Sequence, residues 1–168
     1  KDKSDYQFLF DENKILIDKP YLWAIHDNRK HILQNYLKGN KSISKAEADY
    51  SIRAFGYFLI NNFEFIFNNR KGITVEVWEN YMIYMLLGST ELNSLVKDSS
   101  ESFIFGDKYR ARLKELLSIA NNADLITLFK EIKPVSKSTD NAIVYNKLDK
   151  LIKGERKLIR SKYPTVKR

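Results

Sequence analysis

The chain has 168 residues, 43% of them hydrophobic and 13% aromatic, with a net charge of +8. That is one domain's worth of sequence, able to bury a core without a staple and too apolar to be disordered as a whole. It has no cysteine, and its two histidines are His26 and His31; this excludes disulfide frameworks, thiolate nucleophiles and cysteine-ligated zinc, and leaves little for a histidine-based centre.

In chain order the pattern is helical almost throughout. Asp5 to Asp18, with Phe8, Leu9, Leu16 and Ile17, predicts a first helix. Pro20 suits the first position of a short helix carrying Leu22, Trp23 and Ile25. His31 to Leu37 continues as a further turn until Lys38-Gly39-Asn40 breaks it. Ser44-Lys45-Ala46-Glu47 is a capping box that opens the longest periodic run, with Ile52, Phe55, Leu59, Phe63 and Ile66 on one face down to Asn69. Gly72 is read as its C-terminal stop.

Thr74 is expected to cap the next helix, whose buried face holds Trp78, Met82, Met85 and Leu86 before Gly88 ends it. Ile73 to Trp78 is the one segment with strand-like alternation. A short helix follows from Thr90 to Val96, then a polar loop from Lys97 to Glu101. Asp107 to Ala120 presents Tyr109, Leu113, Leu116 and Leu117 at helical spacing, and Asn122 caps a helix running to Ile132, stopped by Pro134. Ser136 to Asp140 reads as a linker, with Asp140 capping a C-terminal helix that has a weak point at Gly154. The expected fold is all-α: a helical core over residues 1–135, then a linker and a basic amphipathic helix or arm over 136–168.

The charge is concentrated. Nine basic and two acidic residues fall between Lys147 and Arg168, leaving a single excess positive charge on the rest of the chain. Lys147, Lys150, Lys153, Lys157 and Arg160 share one helical stripe, opposed by Leu148, Leu151, Ile152 and Ile159. Such asymmetry reads as a face for a polyanion: nucleic acid, a phosphorylated ligand or an anionic membrane surface. The alternative is a solubilising, frayed terminus. No window reaches the length of apolar run needed to span a bilayer. The sequence begins at Lys1 rather than Met, which reads as a fragment or processed chain whose upstream part is expected to carry a membrane anchor.

Catalytic motifs fail on spacing. Asp124 with Glu131-Ile132-Lys133 has the residue types of a metal-dependent nuclease, but Leu125, Leu128 and Phe129 place it on a helix rather than on the adjacent strands that chemistry uses. Gly39-Asn40-Lys41-Ser42 lacks the glycines of a phosphate-binding loop. His26-Asp27 lacks the further histidines of a phosphohydrolase, and His31 has no arginine at the upstream spacing of helical antiviral nucleases. Glu64, among the aromatics Phe55, Phe58, Phe63, Phe65 and Phe67, is read as a paired acid before a functional one, and the aromatics as core. The chain reads as non-enzymatic, with no catalytic residue, no metal ligand and no cofactor.

Leu16 to Asp27, read Leu-Ile-Asp-Lys-Pro-Tyr-Leu-Trp-Ala-Ile-His-Asp, resembles the entry block of certain bacterial membrane-associated proteins in which a soluble helical domain follows N-terminal transmembrane helices. Asn62-Phe63-Glu64, Gly72 with Glu76 and Trp78, and Phe103 to Tyr109 are similar to their later blocks. In its general features (a helical soluble part, no nuclease motif, concentrated positive charge) the chain also resembles cytosolic sensor domains of the small membrane-anchored effectors of type III CRISPR systems. That resemblance, which shares no motif, implies a cyclic oligoadenylate as ligand, a homo-oligomer, and a place at the cytoplasmic face of the inner membrane. From the charge pattern, the ligand-binding residues are expected to be Lys150, Lys153, Arg156, Lys157 and Arg160, with Arg110 and Arg112. The competing readings are a nucleic-acid-binding module and a protein-interaction scaffold whose tail sits on anionic lipid.

Overall fold

A computed structural model describes residues 3–40, 42–133 and 138–162, and their side chains except at 3–6, 73–74, 138–140 and 160–162. Among the described residues every regular element is a helix: α1 Lys3–Asp18, a 3₁₀ helix Pro20–Ile25, a 3₁₀ turn Asp27–Arg29, α2 Lys30–Gly39, α3 Lys45–Asn69, α4 Ile73–Gly88, α5 Thr90–Glu101, α6 Asp107–Ala120, α7 Ala123–Phe129 and α8 Ser138–Lys162. The fold is all-α. By contacts the chain divides into two compact units, residues 1–78 with 88–95, and residues 79–87 with 96–168. That division does not fall at residue 135.

In the first unit the Pro20–Ile25 helix is the hub on which α1, α2 and α3 pack. Pro20 stands in its first turn, where the missing N–H costs nothing, and Tyr21, Leu22, Ala24 and Ile25 are all buried. The long helix α3 starts as the sequence dictates: Ser44 Oγ accepts from Glu47 N (3.2 Å), and the Glu47 carboxylate accepts from Ser44 N (2.7 Å). Its buried face is the expected Ile52, Phe55, Leu59, Phe63 and Ile66. Phe65 alone of the aromatic set is exposed, and Glu64 lies half-buried beside it, its carboxyl pushed above the usual range by burial. Gly56, also on α3, faces α5 so closely that an added Cβ would run into Leu95 Cδ1 and lie 3.6 Å from Ile25 Cδ1.

A second junction ties the hub to the start of α5. Ser89 Oγ, fully buried, donates to the Ile25 carbonyl (2.6 Å) and accepts from Leu92 N (3.0 Å). Asp27 accepts from both N and Oγ1 of Thr90, the latter at 2.7 Å. An acid borrowed from a distant turn thus satisfies the free N–H groups of this helix start and meets its positive dipole end. Asp27 of the His26-Asp27 pair is therefore a helix cap.

In the second unit α6, α7 and α8 pack on one another. α7 is capped by Asn122, whose Oδ1 accepts from Asp124 N and Leu125 N. The entry to α8 is held by Asn141, whose side-chain amide bonds both N and O of Lys133. Leu148 and Ile152 are buried to within 2% of full exclusion. Burying each such aliphatic side chain stabilises by roughly 1.5–3 kcal/mol, so α8 belongs to its unit's core and is not a detached arm.

Several expected boundaries differ. α3 ends at Asn69, and Gly72 is the N-cap of α4 rather than the stop of α3; its φ of 66° is one that glycine adopts without strain. The cap therefore lies ahead of Thr74, and Ile73 to Trp78 is helix, not strand; Val75, Glu79 and Met82 are buried at helical spacing while Val77, which a strand would place on the same face as Val75, is exposed. The polar stretch Lys97 to Glu101 continues α5, because Ser99 and Ser100 are small enough to be buried and the Ser100 hydroxyl bonds the Lys97 carbonyl. α7 stops at Phe129, short of Ile132. α8 begins at Ser138, so Asp140 lies inside the helix instead of capping it, and the helix runs on through Gly154. Pro134 and Ser136 lie outside the described residues.

Gly56→Val is expected to destabilise the protein by about 2 kcal/mol through overpacking against Leu95. Combined with Leu95→Ala it should cost less than the two changes separately, read by urea denaturation. Wild-type stability for Gly56→Val would show the approach to be slack.

Candidate anion-binding face

The expected cations separate into two groups. Arg112 and Arg156 are turned inward onto Glu79, the buried one of the two acids of α4, Glu76 being exposed. Glu79 Oε1 lies 3.6 Å from Arg112 Nε, and Oε2 lies 3.3 Å from Arg156 Nη2. Arg112 also pairs with Glu115 at 2.7 Å. The Glu79 side chain is 2% exposed and both arginines 12%. The four charges cancel, and the space among them, about 10 Å³, is too small for a phosphate and near the lower limit for one water. Arg110 is likewise engaged: its guanidinium pairs with Asp107 and lies 5.4 Å over the Phe103 ring. These three arginines, expected on a ligand surface, are held by groups of their own chain.

The lysines are placed otherwise. Lys147, Lys150, Lys153 and Lys157 are all exposed along α8, and none forms an ion pair among the described residues. The helix cannot rotate to bury them, because Leu148, Ile152 and Arg156 occupy its inner side. Of the two acids in this stretch, Asp149 accepts from Tyr84 Oη at 2.7 Å and Glu155 is half-buried. Burial raises the Tyr84 hydroxyl above its ordinary range, and the bond to Asp149 adds to the effect. Tyr84 thereby braces the same helix from α4, with its ring edge-on to Tyr145 of α8. The side chain of Arg160 lies outside the described residues, as do Lys167 and Arg168.

Elsewhere, a groove of about 780 Å³ in the first unit runs between α2 and α3, lined by Lys30, Gln34, Lys45, Tyr50, Arg53 and Glu91 among others. Two of its three cations are offset by acids: Lys45 meets Asp49 at 3.0 Å and Arg53 meets Glu91 at 3.7 Å. The Trp23 ring has Arg29 4.6 Å from its centroid and His26 stacked at 6.0 Å. Burial chiefly, with Arg29 beside it, lowers the His26 pKa. Among the described residues no three His, Asp or Glu side chains cluster to hold a metal ion, and no helix is long and apolar enough to cross a membrane.

Sequence reasoning missed Glu79, the residue that decides which cations are free. Its signal was present: of the two carboxylates inside Val75–Leu87, Glu76 and Glu79, the second stands at helical spacing from Val75 and Met82, and an acid on that apolar face must find a buried partner. Set against known protein families, curated proteins and solved structures, the chain matches none.

Glu79→Ala leaves two buried guanidinium groups short of charge, and is expected to cost about 3–5 kcal/mol in denaturant unfolding; a loss below about 1 kcal/mol would mean that the network is hydrated. The shift at His26 has its own signature. With a folded pKa below the ordinary 6.5, the unfolded chain takes up the proton first, so stability falls as pH drops through that value. Melting temperature should therefore decline between about pH 7.5 and about pH 5.5 more steeply for the wild type than for His26→Gln; equal slopes would remove His26 from the pH response.

Proposed function

We propose that the chain is a non-catalytic polyanion-binding module whose binding surface is the outer face of α8. The observation that carries this reading is the row Lys147, Lys150, Lys153 and Lys157, exposed and without an ion pair among the described residues, on a helix anchored by Leu148, Ile152 and Arg156. A fixed row of ammonium groups attracts phosphate or sulfate through charge-assisted contacts, and anchoring spares the entropy of ordering the helix.

The resemblance to membrane-anchored antiviral effectors gives this reading its more specific form: a sensor on the cytoplasmic face of the inner membrane that binds a cyclic oligoadenylate and signals by oligomerising. With Arg110, Arg112 and Arg156 held internally, one α8 offers such a ligand a convex row rather than a cradle. The messenger form therefore calls for α8 helices from several copies converging about a symmetric ligand. A nucleic-acid backbone is the competing polyanion, since it too would be met by a row of lysines.

Retention on immobilised heparin, a polyanion that favours none of these ligands, tests the general reading. The wild type should be held at low salt and released as salt screens the contacts; the triple variant Lys150→Glu, Lys153→Glu, Lys157→Glu should pass through unretained. Identical elution of the two proteins would sink the proposal. Calorimetry with cyclic oligoadenylates then tests the messenger form, which the absence of heat with all of them would reject.

A further inference from the structure

The lysines of α8 are not alone on its outer face. Ile143, Leu151 and Leu158 are 64%, 40% and 52% exposed, each about two turns from the next, in a stripe that runs roughly 22 Å along the helix. They lie beside Lys147, Lys150 and Lys157 and away from the buried Leu148 and Ile152. The helix thus has two apolar stripes, one inward and one outward, with the cations bordering the outward one. The inner stripe accounts for the folding of α8. The outer one keeps 40–64% of its surface exposed and so contributes less to that folding than the inner one.

Resting on the reading that the α8 lysines meet a polyanion, we propose that this polyanion is an anionic lipid bilayer, on whose surface α8 lies with Ile143, Leu151 and Leu158 in the headgroup–acyl boundary. Charge complementarity alone fits any phosphate array; the interleaved aliphatic side chains are what discriminate. A nucleic-acid backbone has no partner for them, and bases are held on aromatic faces, which this stripe lacks. A bilayer takes both: aliphatic groups enter the boundary while lysine stems run alongside and their ammonium groups reach the phosphates. α8 carries too many charges to cross the membrane and so lies along it.

Co-sedimentation of the whole chain tests this, with vesicles of phosphatidylcholine containing phosphatidylglycerol and with phosphatidylcholine alone. The wild type should bind the anionic vesicles and not the neutral ones. Lys150→Gln, Lys153→Gln, Lys157→Gln together should lower partitioning on the order of a hundredfold, since each lysine contributes roughly fivefold. Leu151→Asn with Leu158→Asn, both at exposed positions, should lower it by roughly tenfold while heparin retention stays as in the wild type. Vesicle binding untouched by the leucine changes would overturn the proposal, as would a wild type that is held by heparin yet ignores anionic vesicles; the polyanion reading itself would survive that second result. Tighter binding to single-stranded RNA than to anionic vesicles would assign the face to nucleic acid. Failure on heparin and vesicles alike would remove both readings.

Discussion

Glu79 sits inside an apolar helix, and its charge has to be answered there. Arg112 and Arg156 answer it from α6 and α8. The pairing need not add net stability, since desolvating charged groups costs about as much as their attraction returns. What it adds is rotational register. A helix docked only through Leu148 and Ile152 could be turned by one residue with modest loss, because Leu151 would then come inward. With Arg156 committed to Glu79, that turn would leave the buried carboxylate with Arg112 alone. Register in turn decides that Lys150, Lys153 and Lys157 face outward, and the binding face follows from it.

The first unit is organised by a comparable economy of polar groups. The six-residue helix Pro20–Ile25 is too short to be stable alone, yet three helices pack on it. Its C-terminal carbonyls and the free amides of α5 are joined through Ser89, while Asp27 takes the Thr90 amide. Two short polar side chains therefore link elements that lie more than sixty residues apart in sequence. Such junctions are specific because unmet hydrogen-bonding groups in a buried place cost about 1–3 kcal/mol each. In the same unit α3 comes close to α5 at Gly56, where an added Cβ would require the Leu95 side chain to move.

The outer face of α8 combines features that usually occur apart. Exposed lysines favour solubility, and exposed aliphatic groups oppose it; single instances of the latter are ordinary on protein surfaces. Three of them in register with a row of lysines form a pattern, and a pattern on a face that the core does not use points to a partner. The second unit thus divides its cations by type. Arginine, whose planar fork suits paired carboxylates, serves the interior, and lysine, strongly hydrated, stays at the surface.

Helix content, the capping box at Ser44, the Asn122 cap, the proline start at Pro20 and the apolar face of α3 were all legible in the sequence, because each rests on contacts within a few residues. The charge-rich C-terminal stretch was legible for the same reason, since composition is local. The continuation of α5 through Lys97–Glu101 was not: its serines are buried by neighbours that no local pattern names. Nor was the division of cations into inner and outer sets. Lys150, Arg156 and Lys157 count alike in the charge of the stretch, and Arg156, four residues after Ile152, is taken inward because an acid far away in the sequence, Glu79, is brought within ion-pair distance of it. Local propensity chose the helices, and long-range electrostatics and packing chose which of their faces remain free.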